Sequence, residues 1–236
     1  MRVQVRPFPP PDAPLVVPTG GVHVWQFDPS APPIPGAAAH LSADETARGD
    51  RYRVGRTRDQ FVACRGHLRA LLGQYLGCSP KDVPLTVTAD GKPVLGGAFA
   101  GRAGFNVSHT DGLALIAVTG GAVGVDVEPE RPLPTADAIV GRFFAAVEQA
   151  QYAGLPGELR GEAFLRGWTC KEAVLKAVGT GVRAFEAWGV DLDPRRPPAV
   201  VWPAASGWAV GWWRPAAGYV AAVAVQGERV AVEVDE

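Results

Sequence analysis

Asp126 and Glu128 stand two residues apart in Gly124-Val-Asp-Val-Glu128, and Glu172 lies in Trp168-Thr-Cys-Lys-Glu-Ala-Val-Leu-Lys176. On a strand the first two carboxylates share one face, while Val125 and Val127 share the other. Adjacent carboxylates repel, and one of them holds its proton unless a cation neutralises the pair. A hard divalent ion such as Mg²⁺ is the usual partner of carboxylate oxygens. Glu172 is a candidate third ligand; on a helix it also reads as an ion pair with Lys176, four residues on. Lys171 and Lys176 flank it, and ammonium groups beside such acids suit a phosphate. Three acids with two lysines describe phosphoryl-type chemistry.

Phe105-Asn-Val-Ser-His-Thr110 brings Ser108 and His109 to the end of an expected strand. No Gly-x-Ser-x-Gly elbow surrounds the serine, so the two fit phosphate donors better than a nucleophile and its base. Lys92, in the turn Gly91-Lys-Pro93, reads as a further phosphate contact or as a solubilising surface lysine. Arg48, Arg51, Arg53, Arg56, Arg58, Arg65 and Arg69 crowd one stretch. They form a solvated helix face or a surface for an anionic ligand or an acidic protein. The formal net charge of −1, the lack of a P-loop and the lack of aromatic interleaving argue against a nucleic-acid partner.

The elements that must position these groups follow from pattern. Residues 161–178 read as a helix with Cys170, Ala173, Val174, Ala177 and Val178 as its apolar stripe, closed by Gly179 and Gly181. Residues 123–128 read as a strand, and 104–107 with 113–118 as a strand pair around 108–112. A second helix is expected over 58–76, with Phe61, Cys64, Leu68, Leu71, Leu72 and Tyr75 buried. Ser42 and Glu45 have the spacing of a capping box. Residues 138–144 and 146–153 read as shorter helices, and the tail after 190 as strands packed through Trp202, Trp208, Trp212 and Trp213. Mixed helices and antiparallel strands argue for an α+β fold.

Sliding the sequence by 103 places lays Gly21-Val-His-Val-Trp25 on Gly124-Val-Asp-Val-Glu128, Phe61 on Phe164, Ala70 on Ala173 and Leu72 on Leu175. The repeat implies two similar α/β halves, 21–121 and 122–236, related by a pseudo-twofold axis behind a Pro-rich extension at 1–20. A cleft between halves is the natural ligand site. Only the second half carries the acids; Arg69 takes the place of Glu172 in the first, and is read as a contact for phosphate or partner. Three cysteines without metal spacing fit a reducing cytoplasm without disulfides. The first residues lack the apolar core of a signal peptide, and no apolar run is long enough to cross a membrane.

Gly91-Lys-Pro93, Phe105-Asn-Val-Ser-His109, Gly124-Val-Asp-Val-Glu128, Arg142-Phe-Phe-Ala-Ala-Val-Glu148 and Trp168-Thr-Cys-Lys-Glu-Ala-Val-Leu-Lys176, in this order, resemble the surfactin-type 4′-phosphopantetheinyl transferases. The resemblance runs over about 41–182. It implies the two-half fold of that family and a holo-acyl-carrier-protein synthase activity. Coenzyme A would bind between the halves as co-substrate. Mg²⁺, or Mn²⁺ in its place, would be held by Asp126, Glu128 and Glu172. A serine of an acyl or peptidyl carrier protein would take the phosphopantetheine arm, and adenosine 3′,5′-bisphosphate would leave. Glu172 would be the base, Lys176 would steady or protonate the departing phosphate, and Glu148 would be an alternative base or water holder. Ser108, His109, Lys92 and Lys171 would reach the phosphates and the adenosine end. Where the family has an arginine before the first-half Phe this chain has Gln60, which leaves Arg56, Arg58 and Arg65 to meet the 3′-phosphate. A monomeric pseudo-dimer is expected. A coenzyme A pyrophosphate hydrolase and a non-catalytic carrier-binding protein are the alternatives.

Overall fold

The computed structural model describes residues 1–203 and 206–234, without the side chains of residues 182 and 183. The first half runs β1 (Arg2–Pro7), β2 (Gly21–Phe27), α1 (Ala43–Asp50), α2 (Gly55–Leu76), β3 (Leu85–Val87), β4 (Pro93–Leu95), β5 (Gly104–Thr110) and β6 (Leu113–Thr119). The second runs β7 (Val123–Pro129), α3 (Ala136–Phe143), α4 (Ala146–Gly154), α5 (Gly157–Val178), β8 (Gly189–Val190), β9 (Val200–Trp202), β10 (Trp208–Trp213), β11 (Tyr219–Gln226) and β12 (Ala231–Val234). One sheet has the order β12-β1-β2-β6-β5 and a second the order β10-β11-β7.

Alternation along the strands makes the layers. In β6, Ala114, Ile116 and Val118 face α2 together with Trp25 and Phe27, against Leu68, Leu71 and Leu72. The opposite face of β6, Leu113, Leu115 and Ala117, joins Val22 and Val24 in a layer shared with Val123, Val125 and Val127 of β7 and Ala221 and Val223 of β11. The outer face of β11, Ala222 and Ala224, packs on Ala173, Val174 and Ala177 of α5. The stack is therefore helix, sheet, sheet, helix. The repeat read from sequence is visible in the topology: β2–α2–β5–β6 and β7–α5–β10–β11 have the same order, and β2 pairs with β6 as β7 pairs with β11, antiparallel. The α+β expectation holds.

Two boundaries differ from the sequence reading. Residues 2–7 form β1, a parallel strand inside the larger sheet rather than part of a loose extension. Val3 and Val5 are fully buried there, and the proline-rich stretch behind it docks Phe8, Leu15 and Val17 on the α2 core. The second half does not keep its own tail: β12 crosses to pair with β1. The free edge of β1 needs a hydrogen-bonding partner, and the last strand supplies it.

Gly124 sets the spacing on which the acids depend. A Cβ there would fall 2.0 Å from the Ala173 carbonyl oxygen and 2.4 Å from the Ala177 nitrogen, so α5 lies directly on the β7 backbone. Gly124→Ala must push α5 outward. We expect a loss of about 1–3 kcal/mol from overpacking, read as a lowered urea midpoint, with turnover falling further because α5 carries Glu172 and Lys176.

Candidate functional site at the seam of the two sheets

The edge of β5 meets the edge of β7, and side chains complete the join. Val125 N donates to Asn106 Oδ1 at 2.9 Å and Val127 N donates to Ser108 Oγ at 3.3 Å. Ser108 is thus on the strand, since β5 runs through Thr110 and only Asp111 and Gly112 turn the chain into β6. Its hydroxyl donates to Asp126 Oδ1 at 2.9 Å. From α5, Lys176 Nζ reaches the same two atoms, at 2.6 Å from Asp126 Oδ1 and 3.1 Å from Ser108 Oγ. Asp126 is only 4% exposed. Three elements therefore meet at one carboxylate oxygen.

Around that point lie the other two acids. Trp168 Nε1, one helical turn before Glu172, donates to Glu128 Oε1 at 3.3 Å. Burial, and then the neighbouring Asp126, raise the Glu128 pKa above the usual carboxylate value; the Trp168 bond and Lys176 oppose them. Glu172 is raised first by burial and then by Asp126 and Glu128, against Lys176. His109 is held below the usual imidazole value by desolvation, with Lys176 adding to it.

The fit of a metal can be judged on these atoms. Among the described residues no group of three or more His, Cys, Asp and Glu side chains is so placed that it could hold an ion without side-chain movement. Lys176 occupies Asp126 Oδ1 instead. Nonetheless Asp126 Oδ2 is buried and has no hydrogen-bond partner among the described residues. The site gathers three hard oxygen donors that repel one another and leaves one buried oxygen unsatisfied, which is the chemistry a divalent cation satisfies. The residues fit such an ion.

Two cavities flank the acids. One of about 250 Å³ lies between α2 and β5, lined by Arg48, Tyr52, Phe61, Arg65, Asn106 and His109 among others. The guanidinium groups of Arg48 and Arg65 stand over the Phe61 ring at 5.5 and 5.9 Å. The other, of about 180 Å³, begins at Glu128 and Trp168 and is walled by Leu133, Ile139, Phe164 and Leu165. A charged, aromatic cavity that reaches Asn106 and His109, and an apolar one that opens at Glu128, suit the two ends of a long ligand.

The sequence pattern of the 4′-phosphopantetheinyl transferase superfamily matches residues 122–224, the stretch that carries all three acids. The 4′-phosphopantetheinyl transferase HetI of Nostoc sp. is 39% identical over 211 residues, covering 87% of this chain and 88% of that protein. The chain belongs to this family. An L-aminoadipate-semialdehyde dehydrogenase-phosphopantetheinyl transferase of Schizosaccharomyces pombe is 27% identical over 67% of this chain and 65% of its own. The 4′-phosphopantetheinyl transferase psf-1 of Bacillus pumilus is 26% identical over 60% and 59%. The fold described above is the mixed α+β fold expected of a phosphopantetheinyl transferase.

Within the transferase, several residues read from sequence as ligand contacts are engaged elsewhere. Lys171 is 0% exposed and pairs with Glu148, which is 1% exposed. Its ammonium also donates to the Trp188 carbonyl at 2.5 Å and stands over the rings of Phe144 and Phe185 at 4.9 Å. Glu148 caps α4 through Ala145 N at 2.9 Å and accepts from Val190 N at 2.9 Å. The pair is buried against Phe144 and Phe185 in the core of the second half. Neither residue is placed as phosphate contact, base or water holder. Lys92 Nζ donates to the carbonyls of Ala177 at 2.8 Å and Val123 at 3.2 Å, tying the 88–92 turn to the end of α5, which closes at Gly179 with φ 88°. Arg56 pairs with Asp111 at 3.4 Å and Arg58 with Asp50 at 3.0 Å, both on the exposed surface. Gln60 also donates to Asp111, at 3.4 Å. Arg69 is buried on Glu45 at 2.5 Å and on the carbonyls of Pro80, Lys81 and Val83, so it is a brace for the first half rather than a phosphate or partner contact.

Ser108, His109, Asp126, Glu128, Glu172 and Lys176 do come together. Asn106 and Trp168 are neighbours of the site that the sequence reading did not name as site residues. Trp168 had a signal, since it stands four residues before Glu172 on one helix face. Asn106 had none, because its role depends on β5 and β7 meeting edge to edge. Among the described residues no helix is long and apolar enough to cross a membrane.

Proposed function

We propose that this transferase moves the 4′-phosphopantetheine arm of coenzyme A to a serine of an apo acyl or peptidyl carrier protein, releasing adenosine 3′,5′-bisphosphate. The observation that carries this reading is the convergence of Asp126, Ser108 and Lys176 on one point beside Glu128 and Glu172, between a guanidinium-lined and an apolar cavity. In this reading the nucleotide takes the cavity of Arg48, Arg65 and His109, and the uncharged arm extends past Trp168 into the apolar one. Asp126, Glu128 and Glu172 hold Mg²⁺, or Mn²⁺, which when bound neutralises the pyrophosphate. Glu172 accepts the proton of the carrier serine as general base. Lys176 then stabilises the charge that builds on the departing phosphate. Holding the partners in line accounts for most of the acceleration in such transfers.

The surfactin-type subclass, action in the cytoplasm and a monomeric state belong to the same proposal. One chain already supplies both sides of the seam, which supports the last. The reading is tested by the nucleotide product. Adenosine 3′,5′-bisphosphate should appear in step with carrier modification and only when an apo-carrier is present. Release without a carrier would make the protein a hydrolase instead.

Arg48 and Arg65 take over, in this reading, the contact that Gln60 leaves unmade. Arg48→Ala is expected to raise the KM for coenzyme A roughly tenfold, about the 1.4 kcal/mol of one charged contact. It should do so far less for 3′-dephospho-coenzyme A. Equal losses for both co-substrates would remove Arg48 from phosphate recognition.

A further inference from the structure

We propose that Lys176 is the resident counter-ion of the carboxylate site, holding Asp126 until a divalent metal replaces it and the phosphates of coenzyme A take the freed ammonium. The inference rests on the metal site proposed above and concerns what fills it beforehand. Asp126 is buried between β5, β7 and α5, where an unpaired carboxylate is costly. The only cation within ion-pair distance among the described residues is Lys176 Nζ, at 2.6 Å from Oδ1. That ammonium donates a second bond, to Ser108 Oγ at 3.1 Å, so it is seated and not merely nearby. Yet its side chain is 29% exposed, against 5% for Asp126. A long side chain with a solvated flank can swing; the aspartate, fixed by Ser108, cannot.

One ammonium faces three carboxylates and cannot satisfy them. Oδ1 of Asp126 is saturated by Lys176 and Ser108, while Oδ2 is left without a partner among the described residues. Lysine and metal therefore compete for the same aspartate. The competition lowers metal affinity in the free protein. Coenzyme A relieves it by offering phosphate to Lys176, so metal and coenzyme A each strengthen the binding of the other through this residue. A site built this way keeps Asp126 paired without metal, and loads fully only when the nucleotide is present.

The test is direct binding of Mg²⁺ and Mn²⁺ by calorimetry to the full-length protein, with and without coenzyme A, for wild type and Lys176→Met. Without coenzyme A, Lys176→Met should bind either metal roughly tenfold more tightly than wild type, the scale of a one-contact coupling. Coenzyme A should tighten metal binding by wild type and have little such effect on the variant. Thermal melts give a second readout, since added Mg²⁺ should raise the melting temperature of Lys176→Met more than that of wild type. A variant that binds metal no more tightly than wild type, while wild type with coenzyme A binds it well, overturns the counter-ion role and leaves the metal site standing. No metal uptake by wild type even with coenzyme A overturns the metal site, and the counter-ion role with it.

Discussion

Glu172→Gln is expected to lower carrier modification by roughly a thousandfold, the scale on which a general base acts, while the folded protein becomes more stable. Both effects come from one environment. Burial and the neighbouring acids Asp126 and Glu128 raise the Glu172 pKa, so the folded protein retains a proton that the unfolded chain gives up. The stability linked to this proton is fully present below the ordinary carboxylate pKa and is lost as pH rises through the raised value. Glu128 is raised by the same causes and adds to the same window. The wild-type melting temperature, measured without metal, should therefore fall as pH climbs from the usual carboxylate range toward neutrality. Glutamine has nearly the same shape and cannot ionise. Glu172→Gln should melt higher than wild type at pH 7 and show a shallower dependence on pH. A variant that keeps near-normal turnover would remove Glu172 from the chemistry. One that melts lower at pH 7 would contradict the electrostatic account.

The largest stability effect is expected at the buried pair behind the site. Glu148→Ala leaves the Lys171 ammonium between the Phe144 and Phe185 rings with the Trp188 carbonyl as its hydrogen-bond acceptor among the described residues and the charge of Glu186 as more distant support. Burial already pulls the Lys171 pKa below the usual lysine value, with Glu148 opposing. Stranding one member of such a pair costs about 3–5 kcal/mol, and the loss should read as a lower denaturant midpoint at unchanged slope. Glu148→Gln with Lys171→Met removes both charges at near-constant shape, and should recover much of the loss. The same variants decide what Glu148 does. Because the pair braces α4, α5 and β8 from behind, kcat measured well below the melting temperature should stay within a few-fold of wild type. A loss of kcat as large as that of Glu172→Gln, in a protein shown to be folded, would return Glu148 to the cleft.

Much of this architecture could be read before any coordinates. Helix α5 was legible because its apolar stripe and its glycine end are local signals, and the capping box at Ser42 and Glu45 forms as its spacing predicts. The two-half repeat was legible because the same strand and helix recur at one offset and a later strand follows with a small slip. What failed depends on contacts between distant segments. Lysine and glutamate types gave no hint that Lys171 and Glu148 meet each other inside the second core, since a charged residue on a helix is usually at the surface. Arg69 was misread for the same reason. Proline density suggested a loose lead-in, while the short Val3 and Val5 alternation that makes β1 is too brief to stand out. The crossing of β12 to β1 is a pairing that no local pattern encodes.

The central claim is that Asp126, Glu128 and Glu172 at the β5–β7 seam direct the phosphopantetheine arm to a carrier serine. The most direct test is the intact mass of an apo-carrier protein incubated with coenzyme A, Mg²⁺ and either wild type or Asp126→Asn. Wild type should add one phosphopantetheine arm to the carrier, at the serine, and Asp126→Asn should leave the mass unchanged. A carrier that gains the arm equally well with Asp126→Asn, or gains nothing from wild type, would contradict the account.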